Sequence, residues 1–217
     1  IENGKLTTLT QAYEKDPLSV LSLTEDKQGG VWLRPYTAGL MKVVNGQIYP
    51  VKNRSNGLIS NEVRAVLFDA FDNLWVGTAA GLTKIDPAGQ IHSFTTEDGL
   101  AGDFIMALNE DDHGRLWVGT GVGVSIFDPV TEQFKTLEFP TQFSTEYAFG
   151  FYLDGDKMWL ATDRGLVRYN LSTDKMSLFG RDQGLPVDKL FQVIEQGDAL
   201  WLPSNRGVLP VNKAQLG

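Results

Sequence analysis

The sequence predicts an all-β fold, a β-propeller of five four-stranded blade repeats, each about 42 residues long. Three observations lead there. The five tryptophans of the chain, Trp32, Trp75, Trp117, Trp159 and Trp201, are spaced 43, 42, 42 and 42 residues apart. The phrase LWVGTAAGL at 74–82 returns as LWVGTGVGV at 116–124. Apolar runs rich in Val, Ile, Phe and Leu last only about 4 to 7 residues between turn signals, which suits strands and is too short for ordinary helices.

Each element of the repeat has its own justification. In the second copy an inner strand is expected at 63–68, a second at 74–77, a third at 82–85 and an outer one at 91–95. The tryptophan opens the second strand, where a large aromatic suits packing between blades better than ligand stacking. A glycine follows six residues later in four copies (Gly81, Gly123, Gly165, Gly207) and seven later in the first (Gly39), so one inserted residue explains the spacing of 43. Asp86, Asp128, Asn170 and Asn212 stand eleven residues after the last four tryptophans, twice followed by proline (Pro87, Pro129), as a turn between third and outer strands requires. A Gly-Leu pair recurs at 57–58, 99–100 and 184–185 ahead of an inner strand.

The two ends of the chain complement each other. ENGKL at 2–6 resembles VNGQI at 44–48 and reads as an outer strand without a blade, whereas the last copy ends with its third strand at 208–211. Joined, they would form a mixed blade and close a ring of five without an exposed edge. Five copies equally suit a segment of a seven-blade ring. Residues 1–217 are thus expected to be one propeller domain or a propeller segment, and a chain starting at Ile1 reads as a piece of a longer protein.

Composition narrows the function. With 42% hydrophobic and 11% aromatic residues the chain can bury a sizeable core. No apolar run approaches the roughly 18 residues of a membrane span, and the first ten residues lack a basic segment followed by an apolar one. A net charge of -8 opposes the phosphate neutralisation that drives nucleic-acid binding. The chain has no cysteine, so disulfides, thiolate metal sites and cysteine nucleophiles are excluded.

The stretch TTEDGLAGDFIMALNEDDHGRLWVGTGVGVSIFDP, 95–129, resembles the two-component regulator propeller repeat, and the resemblance extends over essentially the whole chain. WD repeats fit less well, since no tryptophan here is followed by Asp. The resemblance implies the extracytoplasmic, periplasmic sensing part of a bacterial membrane receptor whose cytoplasmic output domain is a histidine kinase or a diguanylate cyclase. GLPVDKLFQV (184–193) and SNRGV (204–208) lean towards the diguanylate cyclase branch. Relatives carry more repeats and an immunoglobulin-like module. The expected function is non-catalytic sensing of a small molecule or oligosaccharide at the channel mouth, without cofactor, metal, nucleic acid or membrane contact by this segment. The alternative is a protein interaction scaffold.

An enzyme like the streptogramin lyases, which use histidines at the channel mouth, ranks third. His92 is expected on an outer strand and His113 in a hairpin of the opposite face, out of reach of a substrate there. The acidic hairpins at 110–114 and 154–156 read as tight turns rather than calcium loops. Ligand candidates come from the turns between second and third strands: Arg34 and Tyr36, Asp163 and Arg164, Asn205 and Arg206, in contrast to the bare GTAAG and GTGVG turns. Arginine suits carboxylate or sulfate, and tyrosine a sugar face. The repeat breaks at 137–152, where an aromatic-rich crossing replaces the Gly-Leu turn and adds Phe139, Phe143, Glu146 and Tyr147. These aromatics suit packing against a neighbouring blade as well as ligand contact.

Overall fold

The computed structural model describes residues 19–141 and 147–216. Blade 1 comprises β1 (Val20–Glu25), β2 (Val31–Pro35), β3 (Leu40–Val44) and β4 (Gln47–Lys52). Blade 2 comprises β5 (Val63–Phe68), β6 (Leu74–Thr78), β7 (Gly81–Ile85) and β8 (Ile91–Phe94). Blade 3 is β9 (Ile105–Glu110), β10 (Leu116–Thr120), β11 (Gly123–Asp128) and β12 (Gln133–Thr136). Blade 4 is β13 (Ala148–Asp154), β14 (Lys157–Thr162), β15 (Gly165–Asn170) and β16 (Met176–Phe179). Blade 5 has β17 (Ile194–Gln196), β18 (Ala199–Ser204) and β19 (Gly207–Asn212).

Within each blade the strands pair antiparallel in chain order, the first strands of blades 2, 3 and 4 touch one another, and apolar cores join successive blades, which makes the fold a five-blade β-propeller. The outer strand of blade 2 stops at Phe94 because Thr95 instead caps a short 3-10 turn, its hydroxyl accepting from Glu97 N while Asp98 accepts from Thr95 N. The same turn precedes Gly57-Leu58 and Gly184-Leu185, and Leu58, Leu100 and Leu185 are buried. After β19 the chain turns into a 3-10 segment, Lys213–Leu216, that buries Leu216 in the core between blades 4 and 5. The expected outer strand at 2–6 lies outside the described residues.

The period of the tryptophans is a packing period. Trp32 packs on blade 2, Trp75 on blade 3, Trp117 on blade 4 and Trp159 on blade 5, one apolar core between each successive pair. Trp75 meets Phe127 edge-on at 5.2 Å and Trp117 meets Tyr169 at 5.2 Å. Trp201 makes the corresponding outward step from blade 5 and remains 36% exposed. Val208, at the position of fully buried Leu166, is 57% exposed. On the other end, Leu21, Leu23 and Val31 of blade 1 are exposed too.

The acidic hairpins do more than turn. Asp26, Asp69 and Asp111 each accept the indole N–H of the tryptophan six residues on, at 2.8 Å, with the same Oδ2. The other oxygen of each accepts two backbone N–H groups of its own hairpin. Lys42 and the Trp32 indole hold the buried Asp26 carboxyl well below the usual carboxylate range. Blade 4 shortens this hairpin to the two residues Gly155 and Asp156, loses the acceptor, and leaves the buried Trp159 Nε1 without a partner.

The repeated glycine is needed where the outer strand passes over it. Gly165 has φ 127°, and a Cβ there would stand 2.4 Å from Phe179 O. Gly207, in the blade whose described strands number three, has φ 114° with nothing within 4 Å of such a Cβ.

Candidate channel-mouth site

The inner strands share an irregularity at the end that meets the second-to-third-strand turns. In blades 1 to 4 the pairing with the second strand slips by one residue, at Val20/Ser22, Val63/Ala65, Ile105/Ala107 and Ala148/Gly150. A bulge of this kind re-aims the extra side chain, and here the extra residues are Leu21, Arg64, Met106 and Phe149. Blade 5 reaches the same geometry by a bridge from Leu190 to Ser204 followed by Phe191 N donating to Pro203 O at 2.9 Å. One repeat position thus carries four kinds of side chain over five blades, Leu, Arg, Met and twice Phe.

These side chains and their neighbours form two connected groups. Tyr147 stacks on Phe149 at 5.7 Å, Phe149 meets Phe191 edge-on at 5.8 Å, and Lys189 lies over both Phe149 and Phe191. Arg64 lies 4.2 Å over the Phe104 ring. Phe104, Tyr147, Val122, Asp103, Gly102 and Gly121 line an open cavity of about 290 Å³ between blades 3 and 4. A second cleft, about 120 Å³ and more polar, lies between blades 1 and 2 and includes Ser22, Thr24, Arg34 and Arg64.

Of the residues expected from sequence, Arg34 lines the cleft between blades 1 and 2. Its Nε donates to Ser22 Oγ at 2.9 Å and its Nη1 to Val63 O at 3.2 Å. Burial, and then the charge of Arg64, push the Arg34 guanidinium below its ordinary pKa. Tyr147 is half-exposed in the aromatic group, and Asp163 holds it there, its Oδ1 accepting from Tyr147 N at 3.2 Å. Tyr36 stands exposed on its turn. Arg164, Asn205 and Arg206 are exposed at the tips of the turns of blades 4 and 5, where Thr162 and Ser204 hydroxyls each accept an arginine backbone N–H at 3.1 Å. Phe139 packs against the core of blades 3 and 4, so its role is packing. Phe143 and Glu146 lie outside the described residues. Arg64, Phe104, Phe149, Lys189 and Phe191 escaped sequence reasoning.

A third cavity, about 180 Å³, opens near the Asp69 and Glu110 hairpins between blades 2 and 3. Burial raises the pKa of Glu110, although both its oxygens accept from Ala70 N. His92 lies on β8, and His113 is exposed in its hairpin, Nδ1 4.0 Å from Asp111. Among the described residues no group of three or more His, Asp or Glu is arranged to hold a metal ion, and no helix is long and apolar enough to cross a membrane.

Residues 57–80 and 99–121 match the two component regulator propeller repeat. No curated protein sequence matches the chain. Among solved structures, the extracellular domain described as part of the hybrid two component system BT3049 from B. thetaiotaomicron superposes with a TM-score of 0.78 at 20% identity, over 90% of this chain and 28% of that one. The corresponding domain of BT4673 from the same organism gives 0.65 at 16% identity, over 90% and 32%. Virginiamycin B lyase from Staphylococcus aureus gives 0.66 at 16% identity, over 90% and 70%. At these identities the likeness is one of fold. The chain spans less than a third of the length of the two extracellular domains.

Proposed function

We propose that this chain, which carries two component regulator propeller repeats, is a non-catalytic sensor propeller on the periplasmic side of a bacterial signal-transduction receptor, binding a small molecule or oligosaccharide at its channel mouth. The observation that carries this reading is the bulge column: one structural position, repeated in every blade, holds Leu21, Arg64, Met106, Phe149 and Phe191. Packing needs the same residue in each blade, as the tryptophans illustrate, whereas a column that changes from Leu to Arg to Met to Phe suits contacts that vary around a ligand. Aromatic faces and guanidiniums suit sugar rings and oxygen-rich groups. The output domain, a histidine kinase or a diguanylate cyclase, would respond only if the ligand favours one receptor arrangement over another.

A thermal-shift screen of the chain against neutral and acidic saccharides, amino acids and nucleotides tests this. A bound ligand raises Tm by linkage to the folded state, and Tyr147→Ala or Phe149→Ala is expected to abolish the shift. Ligand stabilisation that survives both substitutions would move the site elsewhere. The second reading, a protein scaffold, draws on exposed Trp201, Val208 and Leu23 at the two outward blade faces. It replaces the first if no small molecule stabilises the chain while a protein partner is captured and is lost on Trp201→Ala.

A further inference from the structure

We infer that the cleft between blades 1 and 2 is an oxyanion seat, in which the guanidiniums of Arg34 and Arg64 grip a carboxylate or sulfate group of the ligand. This rests on the sensing reading above and names the chemistry it recognises.

Two departures from the repeat occur together here. The residue two positions after the tryptophan is Gly77, Gly119 and Ala161 in blades 2 to 4. It is small there because the next inner strand closes against it: a Cβ on Gly77 would stand 2.4 Å from Ile105, and one on Gly119 would stand 2.4 Å from Ala148 O. Blade 1 has Arg34 at this position, and its guanidinium reaches the inner strand of blade 2 at Val63 O. The bulge position of that same inner strand is Arg64, where the other blades have Leu21, Met106, Phe149 and Phe191. The two cations line one cleft.

Their surroundings leave that charge under-compensated. Arg34 donates to a hydroxyl and a carbonyl, both neutral. Arg64 pairs with Glu62 through Nη1 at 3.1 Å, while its Nε is buried without an acceptor. Among the described residues one carboxylate thus stands against the two guanidiniums. Like charges in a partly buried cleft repel, and an oxyanion between them reverses that interaction while offering acceptors to both. Arg64 also lies on Phe104, a wall of the larger cavity that Tyr147 shares. A ligand anchored by its acidic group would have an aromatic surface for its ring.

Calorimetric and thermal-shift titrations of the folded chain with glucuronate, glucose 6-sulfate, inorganic sulfate and neutral glucose, at constant ionic strength, provide the test. The anions are expected to bind and glucose to bind far more weakly. Arg34→Gln or Arg64→Gln should weaken anion affinity roughly 10- to 100-fold, the loss of a charge-assisted hydrogen-bonding group, while Lys135→Gln, a folding and charge control exposed on the outer strand of blade 3, should bind as wild type. Comparing glucuronate with the two sulfates distinguishes carboxylate from sulfate as the preferred group. No anion binding to the wild type, or equal binding to both arginine variants, overturns the seat. If a neutral saccharide binds and is lost on Tyr147→Ala but not on either arginine substitution, the sensing reading stands and the oxyanion seat falls.

Discussion

Trp117→Ala and Trp201→Ala should differ sharply, although the repeat writes the two residues identically. Trp117 is 0% exposed, packed on Phe151 and Tyr169 of the next blade, with its indole N–H on Asp111. Truncating a fully buried tryptophan costs about 3 to 5 kcal/mol, because the cavity adds to the lost transfer energy. Trp201 is already 36% exposed. Taking a tryptophan as about 250 Å², roughly 90 Å² of it is in water before any substitution, which at about 25 cal/mol per Å² lowers the penalty by about 2 kcal/mol. Its outward face also leaves no enclosed cavity. For a chain of this size 1 kcal/mol shifts Tm by roughly 2 to 4 °C, so Trp117→Ala should melt at least about 4 to 8 °C below Trp201→Ala. Thermal melts and urea midpoints of both variants measure the gap. Equal losses would refute the account, because they would mean that the outward face of blade 5 is packed as tightly as the cores between blades.

Other expectations follow from single contacts. Asp26 has its carboxyl pKa lowered in the fold, so its contribution to stability is full above the unfolded value near 4 and fades as pH falls below it. Urea unfolding at pH 6, 4 and 3 should show this loss in the wild type, and Asp26→Asn should flatten it. Asp111→Ala should cost about 3 to 5 kcal/mol, since it strips the acceptor from the Trp117 indole and two backbone N–H groups and leaves Arg115 without its carboxylate. A loss under about 1 kcal/mol in urea would show that water replaces it. Gly165→Ala should be clearly worse than Gly207→Ala: both adopt a positive φ, at a cost of about 1 to 3 kcal/mol, but only at Gly165 does the new methyl group meet the backbone of an outer strand. Matching melting temperatures would show that β16 can shift aside.

The fold was legible because each of its landmarks solves the same packing problem in every blade. Trp75, Trp117 and Trp159 recur because each must fill a gap between two sheets, and Leu58, Leu100 and Leu185 recur because each plugs the same corner. The acidic hairpins were only half legible. Asp and Gly in a tight turn explain themselves by turn chemistry, and that sufficient reason hides the second role of Asp69 and Asp111 as indole acceptors, which depends on register across the hairpin.

The site was harder to read because a bulge undoes the two regularities that sequence reasoning uses. An extra residue reverses the alternation of inward and outward positions, so Arg64 in VRAVLF looks like an ordinary strand residue facing away from the core. Alignment on the tryptophans fails as well. The bulge residue precedes its tryptophan by eleven positions in blades 1 to 3, at Leu21, Arg64 and Met106, but by ten in blades 4 and 5, at Phe149 and Phe191. The missing residue was taken from the hairpin, the same contraction that cost Trp159 its aspartate. A structural economy at one face of the propeller thus displaces the reading frame of the bulge column at the other. Arg34 escaped this concealment because it lies after the tryptophan, on the side of the landmark where no hairpin intervenes, as do Arg164 and Arg206, and of these three it is the one whose guanidinium reaches the next inner strand, at Val63 O.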